Sequence, residues 1–264
     1  MLVFAAFMPH TPLLLESVGQ HNQKKLKKTV SAVHHLHKDL LKAKPETLVI
    51  ISAHPTLHAD AFSINLHDPY RTDLSKFGDL GAHPEFAPDL QLIDHLQRTL
   101  RRDGIPLTLD TDHTLDHGAT VPLLLLGKKL SPEVKIVAIT FSGLGPKEHA
   151  AFGRALREVF EASNKRIAVI ASGDLSHVIN KKSQLGLRSE GKLFDETVQH
   201  AVSTAGLSQL LSLDANVVEQ AAECAYRPLL ILFGILEKIA VEPMLLAYEA
   251  PFGVGYLTAE FRLN

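Results

Sequence analysis

The chain has 264 residues, with 27 basic and 29 acidic side chains (formal net charge −2), 45% apolar residues and 21% charged ones. That length and apolar share suffice for a large α/β core, and the near-neutral balance excludes the basic footprint of a nucleic-acid binder or a polybasic membrane arm. Cys224 is the single cysteine, which excludes an internal disulfide and a cysteine-rich zinc site, whereas the 15 histidines demand an explanation because His is the commonest metal ligand and the usual proton shuttle.

Strand and helix signals alternate along the chain. The apolar run 2–8 predicts a first strand, followed at once by His10 in MPHTP. Leu26, Val30, Val33, Leu36 and Leu40 recur at three- and four-residue spacing and predict a helix over 20–44 with one buried face. A second strand is predicted over 47–53, ending at His54, and a third over 62–66. Residues 67–84 (HDPYRTDLSKFGDLGAHP) carry no periodicity and read as a loop of lid length. Leu92, Leu96 and Leu100 predict a helix over 88–102, stopped by Gly104, and a strand follows over 105–110. His117, in LDHGATVPL, precedes a helix. Strands over 135–141 and 166–172 frame a helix over 147–162, and the second leads into GDLSH, which carries Asp174 and His177. A helix over 189–203 comes next. Glu223 and Cys224 then stand at the start of a helix over 227–239. Two last strands are predicted over 244–248, ending at Glu249, and over 255–262.

Continuous apolar strands such as VIIS, VAIT and AVIAS are the mark of buried parallel strands. Their alternation with helices predicts an α/β fold, one domain over residues 1–264, with a central largely parallel or mixed sheet flanked by helices. The N-terminus MLVFAAFMPH lacks a basic n-region, and the uncharged run PLLILFGIL (228–236) is too short to span a bilayer. A cytoplasmic protein without a membrane partner is the expectation.

Seven histidines (His21, His34, His35, His37, His95, His149 and His200) fall on predicted helices, where a solvated or partly packed role is expected. His10, His54, His117 and His177 fall instead at strand ends or turns, the edge at which open α/β sheets bind ligands. Two neutral imidazoles plus one carboxylate leave roughly three of six positions open on a divalent ion, the arrangement of non-haem Fe(II) oxygenases. A structural zinc site would close its shell with four protein ligands. Glu223 and Glu249 are the carboxylate candidates, with Cys224 beside the first. Other chemistries are poorly supported. His54 and His58 lack the intervening Glu of HExxH, Ser172 and Ser176 lie in no GxSxG elbow, and SGLGP at 142–146 has neither a third dinucleotide-loop glycine nor a P-loop lysine.

Seven segments occur in one order along the chain: PHTPLLLESVG (9–19), VIISAHP (49–55), LDHGATVPLLLL (115–126), IASGDLSHV (170–178), SEGKLFDETV (189–198), AAECAYRPLLILFGIL (221–236) and YEAPFGVGYLTAEF (248–261). In these the chain resembles the LigB-type superfamily of class III extradiol ring-cleavage dioxygenases, and within it the Memo-like (AmmeMemoRadiSam) branch. The resemblance implies Fe(II) held by His10, His54 and Glu223, with His177 as the acid/base and His117 touching substrate or oxygen. Asp174 would orient His177 or touch the metal. Cys224 matches the ligating Cys of Memo proteins, a softer donor that favours zinc or copper, and Glu249 then lines the pocket or serves structure. The implied reactants are O2 and a small catechol- or aminophenol-like aromatic. A homo-oligomer is the general expectation for such an enzyme, and a small accessory subunit or a radical-SAM protein is the implied partner. A metal-binding, redox-related protein without ring cleavage and a zinc hydrolase in the same pocket are the alternatives.

Overall fold

A computed structural model describes residues 1–54 and 56–264. The first half runs β1 Leu2–Met8, α1 Glu16–Gly19, α2 Lys27–Ala43, β2 Thr47–Ser52, β3 Phe62–Asn65, β4 Arg71–Thr72, α3 Leu90–Arg102, β5 Leu107–Asp110, β6 Thr114–Leu115 and α4 His117–Leu126. The second half runs β7 Lys135–Thr140, α5 Pro146–Ala162, β8 Ile167–Ser172, α6 Ser189–Thr204, α7 Leu207–Leu211, α8 Ala215–Ala221, α9 Tyr226–Leu236, β9 Val241–Glu249 and β10 Tyr256–Leu263.

Eight strands form one mixed sheet in the order β5-β3-β7-β2-β8-β1-β10-β9. The central four, β7, β2, β8 and β1, are mutually parallel, while β3 runs antiparallel to β7 and β10 antiparallel to β1. The continuous apolar runs have a direct cause, since both faces of these strands are covered. Alternate residues Phe7, Val49, Ile51, Ile139 and Val169 face a core built with α3, α5, α6 and α9. Their neighbours Ala6, Met8, Ile50, Ala138 and Ile170 face a second core built with α2 and α4. Period-two alternation therefore sorts two apolar sets to opposite faces rather than apolar from polar.

Two local devices fix the frame. Asp89, buried at the N-cap of α3, accepts from Leu92 N at 3.1 Å, from Thr47 Oγ1 at 2.5 Å and from Lys165 Nζ at 2.6 Å. It thus ties the first turn of α3 to the beginnings of β2 and β8. Helices α5 and α9 touch backbone to backbone at Gly153 and Gly234. A Cβ on Gly153 would lie 2.1 Å from Ile231 O, and one on Gly234 would lie 2.3 Å from Ala150 O.

The structure departs from the sequence expectations in particular places. The helix expected over 20–44 begins at Lys27, because Gln20 takes a positive φ of 45° and residues 20–25 form a separate 3-10 turn. Segment 67–84 is not bare loop. Its Arg71–Thr72 pairs with β6, and buried Tyr70 and Leu74 anchor it. Two short helices, α7 and α8, span too few residues to show a period. Among the described residues no helix is long and apolar enough to cross a membrane.

Candidate metal centre

The parallel strands β1, β2 and β8 end side by side, and the chain turns there three times. His10 follows β1, His54 follows β2, and the Gly173–His177 turn follows β8. His10 is 1% exposed. Its backbone N–H donates to Asp174 Oδ1 at 3.0 Å, and its Nδ1 lies 2.9 Å from Ser172 Oγ. With Nδ1–H donated to that hydroxyl, the Nε2 lone pair is left to face the site. His10 Nε2 stands 3.0 Å from His54 Nε2 and 3.3 Å from Cys224 Sγ. These three donor atoms all lie within 4.8 Å of one another. Two imidazole nitrogens and a thiol converging in this way suit a borderline transition-metal ion, whose Zn–N and Zn–S type bonds run about 2.0–2.3 Å.

His117, the first residue of α4, stacks on His54 with ring centroids 4.3 Å apart and lies edge-on to His10 at 5.1 Å. Asp116 positions it by capping α4, accepting from Gly118 N at 2.7 Å, and Ser52 Oγ donates to the same carboxylate at 2.5 Å. Gly118 makes this crowding feasible, since a Cβ there would stand 2.5 Å from Ser52 Oγ and 3.3 Å from His10 Nδ1. His177 sits in the GDLSH turn. Its Nδ1 faces the Ala222 carbonyl, which can only accept, so Nδ1 carries the proton and Nε2 is free.

Asp174 grips the backbone N–H groups of His10 and Thr11 rather than the His177 ring. It also meets Cys224 through paired contacts. Asp174 N donates to Cys224 Sγ at 3.2 Å, and Cys224 N donates to Asp174 O at 3.1 Å. Gly173 permits that approach, because a Cβ there would fall 2.8 Å from Cys224 O.

The two carboxylates expected as possible ligands lie elsewhere. Glu223 Oε2 accepts from Ala225 N at 2.5 Å and from Tyr226 N at 2.6 Å, capping the start of α9. Glu249 Oε1 accepts from Thr29 N and Thr29 Oγ1, both at 2.7 Å, in the first turn of α2. Of the three third-ligand candidates, Cys224 alone joins His10 and His54.

Electrostatics suit a cation-binding site. Burial, then the neighbouring His54, His117 and His177, hold His10 well below the ordinary imidazole range. Loss of water, with His117 next to it, brings His54 down to about 4, and burial lowers His117 as well. All three are therefore neutral, and able to ligate, near pH 7. Burial pushes the Cys224 thiol well above its usual range, with Asp174 adding to the effect. Binding a cation there would expel a proton. Asp174 is raised to about 7 by burial, against the backbone donors of His10 and Thr11.

A cavity of about 610 Å³ reaches the cluster at His54 and His117, with Phe77, Lys76, Asp73 and His113 also on its walls. Phe77, from segment 67–84, lies 5.1 Å from the His117 ring. Sequence reasoning met Ser172 only as a poorly supported hydrolase nucleophile and Phe77 only as part of the lid-length segment 67–84. The one hint for Ser172 was its place at the end of a buried strand. Among the seven histidines expected to be solvated or partly packed, His149 is fully buried. Its Nδ1–H donates to Gly145 O at 2.7 Å and its Nε2 accepts from Ser142 N at 3.4 Å, a satisfied core residue.

Known proteins bear on this arrangement. The chain is 29% identical over 258 residues to Protein CA_C1420 of Clostridium acetobutylicum, covering 94% of this chain and 55% of that protein. It is 30% identical over 141 residues to a 2,3-dihydroxyphenylpropionate/2,3-dihydroxicinnamic acid 1,2-dioxygenase of Mycolicibacterium paratuberculosis, covering 50% of this chain and 44% of that one. The protein of the same name from Mycolicibacterium smegmatis is 27% identical over 177 residues, covering 64% and 55%. The chain thus spans about half the length of these curated relatives. In structure it resembles the uncharacterized protein JW3007 of Escherichia coli K12, with a TM-score of 0.65, 17% identity and coverage of 98% and 99%. The model of the catalytic LigB subunit of aromatic ring-opening dioxygenases matches residues 4–259, and the chain belongs to that family.

Proposed function

We propose that the protein is a metal-dependent dioxygenase of the ring-opening type, acting on a small catechol- or aminophenol-like aromatic, with His10, His54 and Cys224 holding Fe(II). One observation carries the reading: His10 Nε2, His54 Nε2 and Cys224 Sγ converge within 4.8 Å at the carboxyl end of the parallel strands. The cavity that reaches His54 and His117 is of the size that small ligands occupy. An ion bound there would supply open coordination positions and one-electron chemistry that the side chains lack. The chain's own groups do the rest. His177 Nε2, free of the proton held at Nδ1, takes a phenolic proton from the entering ring. His117 lies flat on His54 and presents its edge to the cavity, where it hydrogen-bonds a ring oxygen. Phe77 covers the ring from the side of segment 67–84, which acts as a lid. Ser172 and Asp174 hold His10 by its ring and by its backbone.

The test is anaerobic reconstitution of the apoprotein with Fe(II), followed by oxygen uptake with a panel of catechols and aminophenols. Uptake that disappears in a His10→Ala protein is expected. A fully loaded protein that consumes no oxygen across the panel would overturn ring cleavage. A second reading rests on a specific observation, the thiol where the dioxygenase pattern expects a carboxylate. It is a redox-related metal-binding protein of the Memo-like kind, holding zinc or copper and performing no ring cleavage.

A further inference from the structure

On the α2 side of the sheet, away from the strand ends, lies a second convergence of donors. His35 and Asp39 are four residues apart on α2 and so share one helix face. Glu260 rises toward them from β10. His35 Nε2 stands 3.2 Å from Asp39 Oδ2 and 3.3 Å from Glu260 Oε2. All three donor atoms lie within 4.8 Å of one another.

Two features separate this group from an ordinary surface ion pair. The first is satisfaction. The Glu260 side chain is 6% exposed, yet among the described residues its Oε2 has no hydrogen-bond partner, and neither does the shielded His35 Nε2. Two buried polar atoms that lie 3.3 Å apart, with no hydrogen bond of good geometry to any described residue, are a rarity in folded proteins. The nearby cations leave that gap open. Lys42 Nζ bonds the other oxygen of Asp39, Oδ1, at 2.5 Å. Arg262 stops 3.8 Å from Asp39 Oδ2 and 3.9 Å from Glu260 Oε1, too far for a hydrogen bond. The second feature is spacing. Around an ion with bonds of about 2.0 Å, tetrahedral donors stand about 3.3 Å apart. The two donor separations at His35 Nε2 match that edge.

We propose that His35, Asp39 and Glu260 form a second metal site, independent of the strand-end centre, for a divalent cation of the zinc class. One imidazole and two carboxylates neutralise the ion's charge. The absence of sulfur separates the site chemically from the one built on Cys224. Its role follows from its position: it clamps α2 to β10, where the sheet turns antiparallel.

Cobalt(II) titration of the full chain tests this, because the thiolate at Cys224 gives an intense sulfur-to-metal absorption band and the His35 site gives none. The wild-type chain is expected to bind one equivalent more than His35→Ala and one more than Glu260→Gln, with both variants keeping the sulfur band unchanged. Cys224→Ala is expected to lose the band and keep the equivalent that His35 contributes. His35 is half exposed, so its variant keeps the fold, and far-ultraviolet circular dichroism checks both proteins. Equal stoichiometry in wild type and His35→Ala overturns the site, whatever happens at Cys224. So does an extra equivalent that binds only at millimolar cobalt.

Discussion

Replacing Glu223 separates the two neighbouring candidates for the third ligand. In the structure its carboxylate folds onto the start of α9 from two residues before the N-cap Ala225, and it satisfies two of the N–H groups that a helix start leaves open. Glu223→Ala removes both bonds at the head of a helix whose residues are nearly all buried. Loss of a capping side chain costs typically ~1 kcal/mol, and the N–H groups left without a partner raise this to about 2 kcal/mol. For a chain of this size each kcal/mol moves the melting temperature by roughly 2–4 °C, so a drop of roughly 4–8 °C is expected. Metal content should be unchanged. Glu223→Gln keeps a side-chain acceptor and should hold both stability and metal. Cys224→Ala should do the reverse of Glu223→Ala, with a small change in melting and a loss of metal affinity beyond the roughly 10–100-fold that an outer-shell change costs. Differential scanning calorimetry and metal analysis on the same three preparations decide it. A Glu223→Gln protein that melts normally but comes out without metal would refute the assignment of the carboxylate to the helix.

Three further outcomes follow from single contacts. Asp195, 1% exposed, accepts from Tyr248 Oη at 2.5 Å and from Ser176 N at 2.9 Å, and burial pushes its carboxyl up to about 7. A raised carboxyl binds its proton more tightly folded than unfolded, so this group's contribution to stability falls as pH rises from ~4 to ~7, by at most about 4 kcal/mol. Urea unfolding across that range should therefore show a shallower decline in Asp195→Asn, and parallel curves would disprove it. Gly153→Ala should destabilise by several kcal/mol, read by the urea midpoint, because the added methyl would sit 2.1 Å from Ile231 O and force α5 off α9. Phe77→Ala should leave melting nearly unchanged, because this side chain is 40% exposed, and should raise KM for an aromatic substrate about 2–10-fold through the lost ring contact. An unchanged KM would take Phe77 out of the binding site.

Much of the fold was readable because its strongest signals are local. The runs VIIS and AVIAS are buried on both faces, and Leu92, Leu96 and Leu100 repeat with the helical period, so those elements stand where the patterns put them. What failed carried no periodic signal. The start of α2 depends on a positive φ at Gln20, and α7 and α8 are too short for a period to declare itself. The site was legible to the same degree. His10, His54 and His117 stand together because each ends a strand or opens a helix, positions that sequence marks well. Which of Glu223, Cys224 and Glu249 reaches them was not legible, because consecutive residues leave a turn in different directions and sequence carries no sign of which.

The turn itself supplies the physical reason for that sorting. Ala222 takes a left-handed conformation, with φ at 51°, just before the pair. Glu223 then meets the N-terminal end of α9, where burial raises its carboxyl to about 7 against the pull of the Tyr226 and Ala225 N–H donors. A thiol caps poorly because sulfur is a weak acceptor. Cys224 instead faces the crowded space between the Asp174 backbone and His10, where Sγ has 3.2 Å to Asp174 N and 3.3 Å to His10 Nε2. A glutamate side chain is two heavy-atom bonds longer and strongly hydrated, so the open N–H groups of the helix start suit it better than that crowded space. The anion count at the proposed site is the same with either donor, one negative charge beside two neutral imidazoles. What differs is softness, and with it the choice of ion. In this chain the thiol position therefore bears on metal selection more directly than on the charge available to activate a substrate.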